Sequence, residues 1–328
     1  MKALLCTGYG PPENLELADI EPPSCGAKGV RIAVHAAGVN FPDVLLIAGK
    51  YQFKPPLPFA PGGELAGEVL EVGDQVTRFR PGDRVIAMTG WNAFAEEAVA
   101  PENKCLPLPD SMDYATGAVF PTTYGTSYYA LVQRGHLQAG EWLLVHGASG
   151  GVGTAAIEIG KQLGARIIAT GGDDDKLARI QEAYGVEHVI NYKTQTPLKE
   201  AVKKLTGGRG ADVIYDPVGG QIFDQSLRCI NWNGRLLVIG FASGEIPSAR
   251  ANLMLLKGSS VVGVFWGSFA TREPEKNADN FRTLMEWHAA GHLKPLISQR
   301  YPLARGGEAI QALIDRKVVG KAVVEVRA

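Results

Sequence analysis

The stretch that decides the fold runs Trp142-Leu-Leu-Val-His146, then Gly147-Ala-Ser-Gly-Gly-Val-Gly153, then a helix-like run to Gly160. An apolar strand feeding a glycine-rich turn and then a helix can hold a pyrophosphate. The turn lets backbone approach the ligand, and the N–H groups of the first helical turn point at negative charge. Glycines at 147, 150 and 153 remove side chains where phosphate, strand and helix come close. The same residues fit Gly-x-x-Gly-x-x-Gly and, with Ala148 in place of the first glycine, the dinucleotide fingerprint ending in Gly150 and Gly153. A tight strand-to-helix turn without a ligand would use the same pattern, so the flanking chain has to decide.

Downstream, strand-like and helix-like runs alternate. They are Ala165–Thr170, Lys176–Tyr184, His188–Asn191, Pro197–Leu205, Ala211–Tyr215, Gln221–Ile230, Arg235–Ile239 and Ser260–Phe265. This rhythm implies a parallel sheet covered by helices, which favours the dinucleotide reading. Upstream, the texture is rich in proline and glycine. Short apolar runs (Val30–His35, Glu64–Leu70, Asp83–Ala87) alternate with turn signals such as Arg80-Pro-Gly-Asp-Arg84 and read as a β-rich module. A helix is expected over Ser127–Gln133 and a longer one over Glu275–Ala290. The alternating tail Lys321–Val326 is expected to pair back with the first module.

The 328 residues exceed a typical single domain, and 45% hydrophobic with 20% charged residues is ordinary globular composition. A net charge of −1 supplies no field for DNA, RNA or an anionic membrane, and no apolar run approaches a membrane span. The opening Met1–Cys6 is too short an apolar core for a secretion signal and reads as a first strand. Cysteines 6, 25, 105 and 229 lack Cys-x-x-Cys spacing; they read as scattered thiols of a cytoplasmic protein rather than a zinc knuckle or redox pair. The six histidines are scattered too, and His146 at a strand end reads as structural.

A dinucleotide site that takes NAD places an acid at the tip of the second strand. Here the strand ends in Gly171-Gly172, and Asp173-Asp174-Asp175 follow, where N-capping and helix-start charge explain them. A glycine at the tip tolerates a 2′-phosphate, and Lys176 and Tyr192 are placed to reach one. NADPH is therefore favoured over NADH, against the nearby acidic triplet.

Taken together, Gly38-Val-Asn40-Phe-Pro-Asp43, Pro61-Gly-Gly-Glu-Leu-Ala-Gly67, Gly73-Asp-Gln-Val76, Pro81-Gly-Asp-Arg84, Thr122-Thr-Tyr-Gly-Thr126, Gly147–Gly153, Tyr215-Asp-Pro-Val-Gly219 and Gly320-Lys321 resemble the zinc-independent quinone oxidoreductase branch of the medium-chain dehydrogenase/reductase superfamily. The resemblance covers essentially the whole chain. It implies an α/β fold made of a GroES-like β-rich substrate domain and a Rossmann, doubly wound parallel-sheet domain, with the nicotinamide in the cleft between them. The expected division is 1–123, with 268–328 returning to it, and 124–267.

The resemblance also implies roles. Asn40 and Thr126 lie near nicotinamide and acceptor, with Tyr51 a pocket wall or proton donor; these three are the catalytic candidates. Ser149, Gly150, Gly151 and Val152 line the pyrophosphate, and Gly172, Lys176 and Tyr192 surround the 2′-phosphate. Gly240 and Phe241 flank the cofactor, while Phe265, Trp266 and Lys321 close the cleft. Each has a plainer reading: Asn40 as a turn former before Phe41-Pro42, Phe265 and Trp266 as ordinary aromatics of a core or interface, Tyr51 as packing.

Zinc alcohol dehydrogenases carry cysteine where this chain has Asn40, and their Gly-His-Glu motif reads Gly62-Gly63-Glu64 here. Glu64 is thus expected to be a structural carboxylate, with no metal bound. The implied activity is NADPH-dependent hydride transfer to a quinone or α,β-unsaturated carbonyl. A 2-enoyl-thioester reductase, or an RNA-binding or structural protein on the same fold, are the alternatives. A homodimer joined through the edge strand Ser260–Phe265 is expected.

Overall fold

The computed structural model describes residues 1–195 and 197–327, and Thr196 and Ala328 lie outside the description. The chain forms two compact units: Met1–Pro121 with the C-terminal stretch from Ile297, and Thr122–Leu296.

In the first unit, β1 (Lys2–Leu5) and β2 (Glu16–Asp19) form a two-stranded antiparallel ribbon. β3 (Gly29–Gly38) leads into the short helix α1 (Phe41–Ile47), followed by β4 (Glu64–Val72), β5 (Arg84–Met88), β6 (Glu97–Pro101) and β7 (Cys105–Pro107). The Arg80–Arg84 turn lies just before β5, with Gly82 at a φ of +91° that favours glycine.

The helix α2 (Tyr114–Tyr128) begins well before the expected Ser127 and continues through a π-helical turn, Tyr129–Arg134. Pro121 and two glycines inside α2 obscure it as a helix in the sequence. Both glycines are there for close approach. A Cβ on Gly117 would lie 2.6 Å from Leu108, and one on Gly125 would lie 2.6 Å from the Trp266 indole.

The second unit then alternates as its sequence implies. Its elements are β8 (Trp142–Val145), α3 (Gly151–Gln162), β9 (Arg166–Gly171), α4 (Asp174–Tyr184), β10 (His188–Asn191), α5 (Leu198–Leu205), β11 (Ala211–Asp216), α6 (Gly220–Cys229), β12 (Ile230–Val238), α7 (Ala251–Lys257) and β13 (Ser260–Gly263). All neighbours are parallel, in the order β10-β9-β8-β11-β12-β13. This is a doubly wound sheet whose strand order reverses between β8 and β11. β8 is wholly buried, which is why it reads as an unbroken apolar run. Its Trp142 and Leu144 share a core with Ile168, Ile190, Ile214, Phe223 and Leu236.

Two helices follow, α8 (Trp266–Arg272) and α9 (Pro274–Ala289). The sequence division put 268–296 with the first module, but these residues pack in the second unit. Asn280 of α9 exchanges side-chain hydrogen bonds with Gln133, and Trp287 packs on Tyr128.

The chain returns to the first unit only with β14 (Ile297–Pro302), α10 (Gly306–Ile314) and β15 (Lys321–Glu325). β15 pairs antiparallel with β3, completing the seven-stranded sheet β14-β15-β3-β4-β5-β7 with β6 against β3. Among the described residues, no helix is long and apolar enough to cross a membrane.

Candidate active site

Every residue singled out in the second unit, apart from Thr126 on α2, follows the carboxyl end of a strand of the parallel sheet. Ser149–Val152 follow β8, Gly172 and Lys176 follow β9, and Tyr192 follows β10. Gly240 and Phe241 follow β12, and Phe265 and Trp266 follow β13. Ligands of doubly wound sheets bind on this side, beside the point where strand order reverses.

At the centre of that edge, Gly150 caps α3 with no side chain of its own, so the N–H groups of the first turn have no capping partner from it. A Cβ on Gly150 would meet only the Gly147 carbonyl, at 3.4 Å, whereas a Cβ on Gly153 would strike that carbonyl at 2.4 Å. Gly150 therefore keeps space open above the helix end, and Gly153 lets the helix close on the turn. An open cradle over the start of a 12-residue helix fits a pyrophosphate.

The tip of β9 is glycine, as read. Asp173 caps α4 by accepting the Lys176 N–H at 3.0 Å, and Asp174 accepts the Asn191 amide at 2.9 Å. Both acids have local structural work. Gly172 is covered by its neighbours: a Cβ there would lie 3.1 Å from the Tyr192 ring and 2.8 Å from Lys193. The structure thus brings Gly172 and Tyr192 together.

Thr126 lies on α2, half-buried, between Gly125 and Ser127. Ser127 donates to the Val152 carbonyl at 3.0 Å and also meets the Tyr215 hydroxyl, tying α2 to the cradle. Trp266 covers Gly125, and its indole N–H donates to Asn277 at 2.9 Å, so its plainer role in packing is fully expressed. Phe265 precedes α8 and is 49% exposed, outside the core. Phe241 packs against Gly219, while Gly240 has open space beside the Pro217 carbonyl.

In the first unit the structure assembles a buried polar cluster. The Lys321 ammonium donates to the Val39 carbonyl at 2.8 Å, to Asn40 Oδ1 at 2.6 Å and to Glu64 Oε1 at 3.2 Å. Asn40 Nδ2 donates to the same Glu64 oxygen at 2.6 Å. Glu64 has no exposure, and Lys321 only 5%. Gly38 is needed beside them, because a Cβ there would lie 2.5 Å from the Glu64 carboxylate and 2.3 Å from the Ala118 carbonyl. The buried Glu64 carboxylate has the Lys321 ammonium as its counter-ion.

Asn40 also stands at the N-cap position of α1, so its plainer role as a turn former is met by its backbone. Asp43 carries no local signal of a role. It accepts the Asn40 N–H at 2.7 Å and the Gly62 N–H at 3.1 Å, fixing the turn before α1 to the loop before β4. Burial pushes its carboxyl up to about 6 in spite of those two bonds. Tyr51 is half-buried against Phe53, and burial, then the Asp43 carboxylate, raises its phenol above the usual value. It therefore keeps its proton near neutral pH and presents a hydrogen-bond donor.

Two further buried networks join residues that no local pattern links. His146 bridges Thr170 at 2.7 Å and Ser226 at 2.8 Å, and burial lowers its affinity for a proton. Glu158 on α3 accepts from the Tyr124 hydroxyl and, at 2.7 Å, from the Lys294 N–H. Their members are 24 to 136 residues apart in sequence, beyond any local pattern. Among the described residues, no three His, Cys, Asp or Glu side chains are grouped to hold a metal ion.

Comparison with known proteins agrees with this architecture. Residues 26–110 match the model of the alcohol dehydrogenase GroES-like domain, and 151–288 match that of the zinc-binding dehydrogenases. A quinone oxidoreductase-like protein 2 homolog from Nematostella vectensis is 39% identical over 99% of this chain and 89% of its own length. A quinone oxidoreductase structure from Pseudomonas syringae superposes with a TM-score of 0.90 at 32% identity, covering 99% of each chain. The Escherichia coli quinone oxidoreductase, solved as a complex with NADPH, gives 0.91 at 27% identity over 99% of this chain and 100% of that one. With the doubly wound sheet, the β-rich unit completed by β15 and these matches along the full chain, the protein belongs to the quinone oxidoreductase branch of the medium-chain dehydrogenase/reductase superfamily.

Proposed function

We propose that this protein is an NADPH-dependent oxidoreductase that delivers hydride to a quinone or α,β-unsaturated carbonyl without zinc, acting in the cytoplasm as a homodimer. The observation that carries the reading is the Glu64 carboxylate, bonded by Asn40 and Lys321. A zinc site needs anionic or imidazole ligands in a set of three or four. Here the motif position beside Glu64 is glycine, the position of the partner cysteine is an amide, and the compensating charge is an ammonium. That donor set is not one that holds a Lewis acid to polarise an alcohol. An acceptor that is already electrophilic needs none.

When bound, NADPH supplies the hydride from nicotinamide C4. The chain's part is to hold and orient. The α3 N-terminus and Ser149–Val152 receive the pyrophosphate, and Gly172, Lys176 and Tyr192 receive the 2′-phosphate. Gly240, Phe241, Phe265, Trp266 and Thr126 would hold the nicotinamide end. Asn40 and Tyr51 offer neutral donors to the acceptor oxygen as it gains charge, and such donors matter most in the transition state. The E. coli relative's NADPH complex and the glycine tip of β9 support the choice of cofactor.

The test is acceptor-dependent NADPH oxidation with 1,4-benzoquinone and with crotonyl-CoA, after fluorescence titration with NADPH and NADH. Tighter NADPH binding and quinone turnover unaffected by excess EDTA are expected. Turnover of crotonyl-CoA in preference to quinone would make the protein a 2-enoyl-thioester reductase. Silence with both acceptors overturns the proposal.

A further inference from the structure

We propose that Lys321 is a positioning residue that locks the Asn40 amide in one orientation, leaving a single Nδ2 hydrogen directed at the acceptor oxygen. The inference rests on the reading above, in which Asn40 meets the acceptor.

The argument is one of hydrogen-bond inventory. An ammonium has three donors and no acceptor, and a carboxylate only accepts. All three Lys321 donors are engaged, by the Val39 carbonyl, Asn40 Oδ1 and Glu64 Oε1. None remains for a phosphate or ribose, and the side chain is almost wholly enclosed. Lys321 is thus not built as a direct cofactor ligand.

What it does hold is Asn40. With Oδ1 against the ammonium at 2.6 Å and Nδ2 against the Glu64 carboxylate at 2.6 Å, the amide has only one allowed orientation. Flipping it would set donor against donor and acceptor against acceptor. Nδ2 carries two hydrogens. Glu64 takes one, and the second stays fixed in direction on a half-buried residue. Asp43 holds the other end of the same residue through its backbone N–H, so main chain and side chain are both immobilised. A donor fixed before reaction stabilises developing charge without reorganising.

Replacing Lys321 alone would strand a buried carboxylate, so the test uses the double variant Lys321→Met/Glu64→Gln, which removes both charges. Three quantities are measured on it and on the wild type: kcat and KM for 1,4-benzoquinone, the NADPH dissociation constant, and the 15N-resolved side-chain amide of Asn40. The expected result is a kcat lower by roughly 100-fold, with KM and NADPH affinity within about twofold. The Asn40 amide protons, slow to exchange in the wild type, become fast in the variant.

A variant with wild-type kcat overturns the proposal. So does a variant that loses NADPH affinity with kcat intact, since that would make Lys321 a cofactor ligand. Should the wild type fail to oxidise NADPH with either acceptor, the proposed function fails on its own, and the Asn40 amide still decides the clamp: unchanged exchange in the variant overturns it. Where the variant does not fold, the wild type decides, because a fast-exchanging Asn40 amide in the native chain is incompatible with a locked one.

Discussion

Glu158 shows how a single buried carboxylate shapes the protein's response to pH. Burial pushes it up to about 7 from an ordinary 4.5, outweighing the bonds from Tyr124 and the Lys294 N–H and the charges of Lys161 and Lys294. The same enclosure raises the Tyr124 and Tyr184 phenols, so both stay protonated. A folded-state value above the unfolded one means stability is fully present below about pH 4.5 and is lost as pH rises through 7. The shift amounts to about 3 kcal/mol across that window. In Glu158→Gln, the amide oxygen keeps the Lys294 bond and the amide nitrogen faces the Tyr124 hydroxyl, with no charge to bury. The variant should therefore be the more stable protein at about pH 8 and lose its advantage near pH 5. Denaturant titrations at the two pH values check this; parallel curves at both would count against it. None of it is legible locally, because Tyr124, Glu158 and Lys294 meet only through packing.

Individual elements carried most of what the sequence disclosed, and the reason is burial geometry. Strands of a parallel sheet are covered on both faces, so Trp142–Val145 reads as a continuous apolar run, and the glycines after it mark where α3 begins. Asp173 is legible as a cap because capping is a matter of three residues. What an amphipathic pattern does not disclose is the partner of its apolar face. Pro274–Ala289 reads as a helix, yet nothing in it says that Phe281 and Leu284 pack in the second unit. At the tip of β9, the cap made by Asp173 sits beside the proposed 2′-phosphate residues. Asp173→Ala should cost about 1 kcal/mol in stability, as lost N-caps do, with the preference for NADPH over NADH retained. On the proposed cofactor site, Lys176→Ala should weaken NADPH roughly tenfold with NADH unaffected, because it removes a positive charge from the residues proposed to receive the 2′-phosphate. Chemical denaturation and cofactor titration on both variants distinguish these outcomes; an Asp173 variant that gains NADPH affinity would relocate the selectivity to the acid.

At the scale of the whole molecule, the second unit ends its sheet in an uncovered strand. Among the described residues, β13 pairs with β12 on one side only, and α7, which packs on β12, leaves Leu255 at 80% and Leu256 at 72% exposure. An open strand edge beside exposed leucines is costly to leave in water. We expect a dimer formed through that edge, with a light-scattering mass near twice 35.0 kDa. A monomer mass at micromolar concentration rules it out. The architecture itself was legible, because alternating runs specify a doubly wound sheet whatever the ligand. The clamp was not: Glu64 and Lys321 are 257 residues apart, and each alone is an unremarkable charge.

The pairing of β15 with β3 has a consequence for synthesis. The first unit's sheet cannot be completed until β15 has been made, whereas the second unit is already whole by Leu296. Without β15, β3 lacks its partner on one flank over residues 36–38, and Glu64 lacks its counter-ion. Docking of β15 on β3 is also what brings the Lys321 ammonium to Glu64, so sheet closure and charge neutralisation are one event.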